Sequence, residues 1–379
     1  MKHTDIRNKT LKVVIALIAI LTAAFAPGHA DVLIAGIPSP DAASTASAPP
    51  SIDGNVAINE ASARPSHLTV HGSFFERYRN DVNHDNGGIT SQGAVTYGVV
   101  RADYGFSRAL SVFGRLGGEG ITQGGQGRDF NGSYYQGTHG YRGALALDQG
   151  GVTYADKPRG LTIVAGRQDK ALDATSTIYD QSWKVGRYSF MDGVSIDQVL
   201  GAATIEFDAF SQDQYVTVNG TGQATRDGLY AARGTYNVTP AVQVGALVDR
   251  FESSGTSQAS GIMSTTNYEA DVVWQATRAL QVKGEGGRSD ASLRNDLYFG
   301  SVKYSVTRRD SLTALTYKIG QNADVGQGTA YPNNNRGERY FYEHDFDKHV
   351  SITFYHEIDH QLYAPGNSSS DQVTLAYGF

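Results

Sequence analysis

The chain has 379 residues, with 32 basic and 38 acidic side chains, a formal net charge of −6 and no cysteine. The lack of cysteine excludes a disulfide framework and a thiolate metal site, and the acidic balance argues against nucleic acid as a partner. The mean hydropathy is −0.34, and no long apolar run follows residue 30, which excludes helical membrane spans. A transmembrane β-barrel remains compatible, because only every second residue of its strands faces lipid.

Residues 1–30 have the pattern of a secretory signal peptide. Basic side chains precede an apolar run from Val13 to Phe25, which is too short to span a membrane as a helix. Gly28 and Ala30 are small residues at the positions that a signal peptidase reads; the alternative is a short N-terminal anchor. Residues 31–66 are rich in Ala, Ser and Pro and keep no helical or strand period, so they predict a flexible periplasmic lead-in.

From residue 67 onward, a short polar turn followed by an alternating apolar strand recurs along the chain. Alternation with a period of two predicts β-strands with one apolar face. We place sixteen strands at residues 67–78, 94–104, 109–118, 140–155, 161–168, 193–200, 202–212, 227–236, 241–251, 265–275, 280–288, 296–306, 312–320, 339–346, 350–359 and 371–379. Short turns alternate with long connections rich in Gly, Asn and Ser, as in outer-membrane barrels with short periplasmic turns and long external loops.

The two faces of each strand differ in polarity. The strand at 241–251 carries Val244 and Val248 on one face and Gln243 and Asp249 on the other. In a soluble sandwich the apolar face would form the core, whereas in a membrane barrel it would face lipid and the polar face would line the lumen. The signal peptide, the strand count and the C-terminal aromatic favour the second interpretation. We therefore expect residues 67–379 to form an all-β, transmembrane, antiparallel up-and-down barrel of about 16 strands.

The chain ends in an alternating strand with aromatic side chains at Tyr377 and Phe379. A terminal strand is an exposed edge in a soluble protein, but it pairs with the first strand in a closed barrel. This ending resembles the signal by which the outer-membrane assembly machinery recognises barrels. The expected location is the bacterial outer membrane, with its lipid and that machinery as partners.

A barrel of sixteen strands is wide enough for an aqueous channel, whereas about eight strands are filled by their own side chains. Lumen-facing charges such as Glu206, Asp208, Glu269, Asp271 and Glu285 would be too costly to bury dry and unpaired. The strand count therefore predicts a passive diffusion channel for small hydrophilic solutes and ions.

The segment Gly166-Arg-Gln-Asp169 ends the fifth strand and begins a long third loop. In this element, and in architecture from residue 67 to the end, the chain resembles the general porins of Gram-negative bacteria. The resemblance implies a homotrimer without enzymatic activity or cofactor, and a third loop that folds inward as the pore constriction. It places Asp169, Asp173, Asp180 and Arg187 in that constriction, opposite a basic wall of Arg77, Arg101, Arg115 and Arg167. The alternative is that these arginines are ordinary solvated lumen charges. The family's acidic Pro-Glu-Phe-Gly-Gly-Asp element is absent from this loop.

Two further motifs resemble metal sites. His356-Glu-Ile-Asp-His360 has the order of a zinc peptidase motif, but it continues a predicted strand, where residues four apart lie about 13 Å from each other. Asp81, Asn83 and Asp85 have the spacing of a calcium loop, but the glycine is displaced and Gln92 stands where a calcium loop has glutamate. We therefore expect no metal, with the calcium site as the weaker alternative.

Other functions remain open from the sequence. Phe75, Tyr97 and Phe113 would form a lumen row suited to a channel selective for sugars or organic anions. An outer-membrane barrel enzyme is a less favoured alternative, because no Ser/His/Asp grouping identifies a catalytic centre. A surface adhesin is a further alternative.

Overall fold

The computed structural model describes residues 67–85, 88–124, 143–175, 190–259, 261–323, 331, 333–364 and 366–379. These residues form one closed antiparallel barrel of sixteen strands, in which each strand pairs with its sequence neighbours and the last pairs with the first. The predicted fold class and strand count are confirmed. The signal peptide at 1–30 and the lead-in at 31–66 lie outside the described residues and stay predictions.

Each strand overlaps its predicted span. The strands are β1 (His67–Asn83), β2 (Gly88–Gly105), β3 (Leu110–Gly124), β4 (Gly143–Asp156), β5 (Leu161–Gln168), β6 (Met191–Leu200), β7 (Ala203–Val218), β8 (Thr221–Thr239), β9 (Val242–Glu252), β10 (Thr265–Gln275), β11 (Leu280–Ser289), β12 (Asp296–Ser305), β13 (Asp310–Ile319), β14 (Asn335–Asp345), β15 (Val350–Gln361) and β16 (Asn367–Gly378). A short helix α1 (Gly255–Ala259) lies between β9 and β10. No helix in the described part of the chain is long and apolar enough to cross a membrane.

One end of the barrel consists of short turns with a shared hydrogen-bond pattern. In four of these turns a side-chain oxygen accepts hydrogen bonds from the backbone N–H groups two and three residues later. The four accepting residues are Ser107, Thr277, Thr307 and Asp347. The two N–H donors, His349 and Val350, hold the pKa of Asp347 below its usual value. The recurring turn in the sequence is therefore a local capping motif.

The opposite end of the barrel carries the longer connections between strands. One connection there is shorter than predicted. The sequence predicts a long loop between residues 212 and 227, but β7 ends at Val218 and β8 begins at Thr221. Asn219 and Gly220 form the two-residue turn between them, with φ of 50° and 77°. Positive φ at both positions is the geometry that favours Asn-Gly in hairpins. The predicted loop is therefore wrong here, and the Asn-Gly pair is the sequence signal that indicates the hairpin.

The barrel has its apolar face outside, as predicted. On β10, Trp274 is 48% exposed, whereas Glu269 and Asp271 on the other face are each 6% exposed. Four even-numbered strands each carry two outward aromatic side chains six residues apart. In β14 the second of them is the first residue after the strand. The pairs are Tyr230 and Tyr236, Tyr268 and Trp274, Tyr298 and Tyr304, and Tyr340 and Phe346. Six residues span about 20 Å along a strand, so the pairs form two aromatic girdles around an apolar band.

The lumen is less polar than the alternation predicts. A buried apolar cluster lines the interior of β7–β13 and includes Phe210, Leu229, Leu247 and Leu297. Leu172 of the third loop packs into this cluster and is completely buried. The simple assignment of polar residues to the lumen is therefore wrong for this sector. The physical reason is that an inward-folded loop needs an apolar surface to pack against.

Candidate pore constriction

The arginines of the predicted basic wall on β1–β3 lie on the lumen face. Arg101 and Arg115 are direct cross-strand partners on β2 and β3. Arg115 donates two hydrogen bonds to Asp148, at 2.9 and 2.8 Å, and Arg101 donates to Asp103 at 2.9 Å. Bidentate carboxylate contacts fix the plane of a guanidinium, so this wall presents oriented arginines.

Aromatic rings support these arginines. Phe75 and Tyr97 stack with ring centroids 4.6 Å apart, and Arg77 donates to the Tyr97 hydroxyl at 3.3 Å. The Arg101 guanidinium carbon lies 4.2 Å from the centroid of the Phe113 ring. A guanidinium is attracted to the face of an aromatic ring. The lumen aromatic row proposed from the sequence is therefore part of the arginine wall.

A second wall, on β9–β11, is acidic. Asp249, Glu269, Asp271 and Glu285 are buried on its lumen face. Asp271 and Glu285 are direct cross-strand partners. The lumen position of Glu269, Asp271 and Glu285 follows from strand alternation, but no sequence signal assigns them to the constriction.

The two walls face each other at the same depth. In a closed ring of sixteen strands, β2 and β10 are eight strands apart in either direction. Arg101 and Arg115 each lie seven residues from Arg108 in their shared turn. Asp271 and Glu285 each lie seven residues from Arg278 in theirs. A pair of arginines, which contact Asp103 and Asp148, therefore lies opposite a pair of carboxylates, of which Asp271 contacts Arg233.

The third loop runs along the wall on the acidic side. Lys170 lies 3.1 Å from Asp197 and 3.2 Å from Glu206. Arg233 donates to the carbonyl oxygen of Leu172 at 3.3 Å, and Lys283 donates to that of Ala174 at 3.1 Å. These contacts hold residues 170–174 inside the barrel. The predicted inward path of the loop is therefore seen for its first residues.

Asp173 lies between the two clamped carbonyls and points to β10 and β11. Its carboxylate lies within 4.8 Å of those of Glu269 and Glu285. A cavity of about 380 Å³ adjoins this segment. Its lining residues are Ala174, Thr204, Glu206, Arg233, Thr235, Gln243, Val273, Gln281 and Lys283. Most of these side chains are polar, which suits a water-filled passage.

The remaining constriction residues are placed less centrally or not described. Asp169 is half-buried at the start of the loop, and Asp180 and Arg187 lie outside the described residues. Arg167 and Ala165 are two residues apart on β5, so their side chains lie on the same face. The cross-strand partner of Ala165 is Val194, which faces outward. Arg167 therefore also faces outward. Its guanidinium contacts Asp192 at 2.6 Å and Asp213 at 3.3 Å. The structure therefore separates Arg167 from the lumen arginines.

The residues of the calcium-like motif do not converge. Asp81 pairs with Arg79 at 2.6 Å, and Asp85 accepts from the backbone of Asn367 at 2.8 Å. Asn83 accepts from the backbone N–H of Asp85.

The zinc-like motif lies on strand β15, as predicted. His356 contacts Asp371 at 2.7 Å on the outward face. Glu357 is buried on the lumen face and contacts Arg339 at 2.5 Å. This alternation puts the histidines and the glutamate on opposite sides of the sheet.

The C-terminal aromatics lie where the barrel closes. Phe379 exchanges two backbone hydrogen bonds with Gly72, at 3.0 and 3.1 Å. The rings of Tyr377 and Phe379 stack at 6.3 Å, and Tyr377 faces outward. Both aromatics are therefore available on the outer surface beside the seam.

No family model matches the sequence, and no curated protein sequence matches it. Solved structures match the fold. A mutant of the porin from Rhodopseudomonas blastica aligns with a TM-score of 0.51 at 12% identity, over 83% of this chain and 100% of that one. A triple mutant of the same porin aligns with a TM-score of 0.52 at 10% identity, with the same coverage. The chain therefore has the fold of a sixteen-stranded porin barrel.

Proposed function

We propose that this protein is an outer-membrane porin, a passive diffusion channel for small hydrophilic solutes and ions. The observation that carries the proposal is the inverted barrel, with apolar and aromatic side chains outside and opposed charge pairs inside. Membership in the general porin family, the outer-membrane location and the absence of enzymatic activity belong to the same proposal. Lipid, permeating solutes and the assembly machinery, which would read Tyr377 and Phe379, are its partners.

The opposed walls supply a mechanism for selecting polar solutes. Arg101 and Arg115 on one side, with Asp271 and Glu285 on the other, produce a field across the lumen. Such a field orients water and favours solutes with charges or dipoles over apolar ones. Asp169, Asp173, Asp180 and Arg187 of the third loop are proposed to complete the narrowest section.

The test is conductance of the purified protein in a planar lipid bilayer. We expect stepwise conductance that rises in proportion to salt concentration, because ions cross a water-filled passage. Complete absence of conductance from protein that is folded and inserted would reject the channel.

A substrate-selective channel is the second candidate, favoured by the arginines lying over Tyr97 and Phe113. This arrangement suits an organic anion with a flat apolar part. Conductance that saturates and is blocked by one class of anion would favour this candidate. Conductance insensitive to such anions would favour the general channel.

A homotrimer is the proposed assembly. The outward face of β1–β4 carries Gly98, Gly114, Gly118 and Gly150 between larger exposed side chains such as Phe74, Leu116 and Leu147. The strand register aligns several of them, with Gly98 opposite Gly118 and Gly114 opposite Gly150. Small residues allow two membrane surfaces to approach closely, which makes this face the proposed contact between copies.

A further inference from the structure

The four capped turns at the short-turn end of the barrel share a basic residue as well as a capping side chain. In each turn the backbone N–H of the capping residue donates to the carbonyl oxygen three residues later, at 3.2–3.4 Å. The residue after the cap is therefore the first of the two residues at the tip of a hairpin. It is basic and exposed in all four turns, as Arg108, Arg278, Arg308 and Lys348.

Three of these turns are neighbours along one side of the rim. They join β10 to β11, β12 to β13 and β14 to β15, which are consecutive strands of the barrel. Successive turns are two strands apart, or about 10 Å. Together they carry a basic arc, which consists of the exposed side chains Arg278, Arg308, Arg309 and Lys348. Four cations therefore lie along about 20 Å of the rim.

The carboxylates of these turns do not pair with the basic arc. On the outward side the turns carry Asp310 and Asp347. Asp347 accepts hydrogen bonds from the N–H groups of its own turn, and Asp310 accepts from the Tyr342 hydroxyl at 2.8 Å. No cation of the arc forms an ion pair with a described side chain. In a chain of net charge −6, this surface has twice as many cations as carboxylates.

The basic arc lies beside the aromatic girdle of the same end. Trp274, Tyr304 and Phe346 face outward and are exposed. They precede the cations of their turns by two to four residues. Girdle aromatics lie at the level of the lipid headgroups, and long basic side chains beside them reach the same interface. The arc is on the side of the aromatic pairs, away from the proposed contact between copies on β1–β4.

We propose that the basic arc binds the phosphate groups of anionic phospholipids in the periplasmic leaflet. The inference rests on the proposed function, because it requires the barrel to lie in a membrane with its short turns on that side. Arginine donates two parallel hydrogen bonds to a phosphate. A lipid of net negative charge is preferred over a zwitterionic one, since the cationic group of the latter offsets its phosphate.

The experiment is quenching of Trp274 fluorescence by brominated lipid, with the full chain folded into mixed vesicles of phosphatidylglycerol and phosphatidylcholine. Trp183→Phe removes the other tryptophan of the chain, so that the signal reports only lipid next to Trp274 and Arg278. In about 0.1 M salt we expect phosphatidylglycerol to bind at least twofold more tightly than phosphatidylcholine. The preference should disappear in about 1 M salt, where the Debye length falls from about 10 to about 3 Å.

The variant for this test combines Arg278→Gln with Arg308→Gln, the two tip cations nearest to Trp274. Its affinity ratio for the two lipids should fall close to one. The matched control combines Arg288→Gln with Arg336→Gln, which removes two exposed cations from the opposite end of the same side of the barrel. The control should keep the wild-type ratio, and heat-modifiable gel mobility verifies that both variants are folded.

The outcomes separate this inference from the channel function. Inserted, conducting wild-type protein that binds both lipids equally at Trp274 would overturn the lipid site and leave the channel standing. An undiminished preference in the folded Arg278 and Arg308 variant would do the same. Folded protein that enters no vesicle would contradict the proposed function, and the lipid site with it.

Discussion

At the residue scale, two glycines make room for the acidic wall. Gly245 is the cross-strand partner of Asp271, and Gly287 is that of Glu269. A Cβ on Gly245 would lie 2.2 Å from the nearer Asp271 oxygen, well inside van der Waals contact. The Asp271 carboxylate therefore lies directly over Gly245, where Arg233 donates a hydrogen bond to it.

Gly245→Ala should displace Asp271 and weaken its contact with Arg233. The expected loss is about 1–3 kcal/mol of unfolding free energy, as for a buried polar group that loses its partner. Urea unfolding of the refolded protein in lipid vesicles measures it. Gly234→Ala is the control, because a Cβ there meets no atom within 4 Å. Equal stability of the two variants would contradict the argument.

Charge removal on opposite walls should change ion selectivity in opposite directions. One charge about 7 Å from an ion in water contributes about 0.6 kcal/mol, or roughly threefold in relative permeability. Arg101→Gln should therefore raise the cation-to-anion permeability ratio, and Asp271→Asn should lower it. Reversal potentials in a salt gradient measure both.

Arg108→Gln provides the control for this pair of variants, because Arg108 is exposed in the short turn away from the opposed charges. It should leave the reversal potential close to that of the wild type. Shifts of the same sign for Arg101→Gln and Asp271→Asn would mean that the two walls do not act on the same passage.

At the scale of the elements, the short turns are stabilised by their own side chains. The hydroxyl of Thr277 accepts from the N–H groups of Ala279 and Leu280, each at 3.1 Å. Ser107 makes the same pair of bonds in the turn between β2 and β3. These two turns set the depth of the opposed charge pairs.

Thr277→Ala should lower the unfolding free energy by about 0.5–1.5 kcal/mol, the net contribution of ordinary hydrogen bonds. Thr277→Ser keeps the hydroxyl and should restore most of the loss. The midpoint of urea unfolding in vesicles checks both variants. If the serine variant were as unstable as the alanine variant, the methyl group and not the hydroxyl would be responsible.

Strand positions were predictable because alternation and turn chemistry are local. All sixteen strands follow from these signals, and so does the inward face of Arg77, Arg101 and Arg115. The hairpin at Asn219 and Gly220 was equally local and was missed by treating a polar segment as a loop. Arg167 was misplaced because the strand that carries it is apolar on both faces.

At the scale of the whole molecule, the candidate site depends on contacts between distant parts of the chain that no local sequence pattern predicts. Asp271 and Glu285 oppose Arg101 and Arg115 only because the ring closes with eight strands on each side. The meeting of Asp173 with Glu269 depends on the path of the third loop across an apolar wall. Neither relation follows from strand periodicity, so the sequence alone does not indicate a role for the acidic wall.

The outer surface of the closed barrel is uneven, and this bears on assembly. Aromatic pairs lie on β8, β10, β12 and β14, whereas outward glycines such as Gly114 and Gly150 are frequent on β1–β4, between larger side chains such as Phe74 and Leu147. Gly114→Trp should therefore separate the copies, while Ala270→Trp, on the outward face of β10, should not. Light scattering after size exclusion in detergent measures the mass of each variant. We expect three chains for the wild type and Ala270→Trp, and one for Gly114→Trp. A folded Gly114→Trp variant that stays trimeric would locate the contact on another face of the barrel.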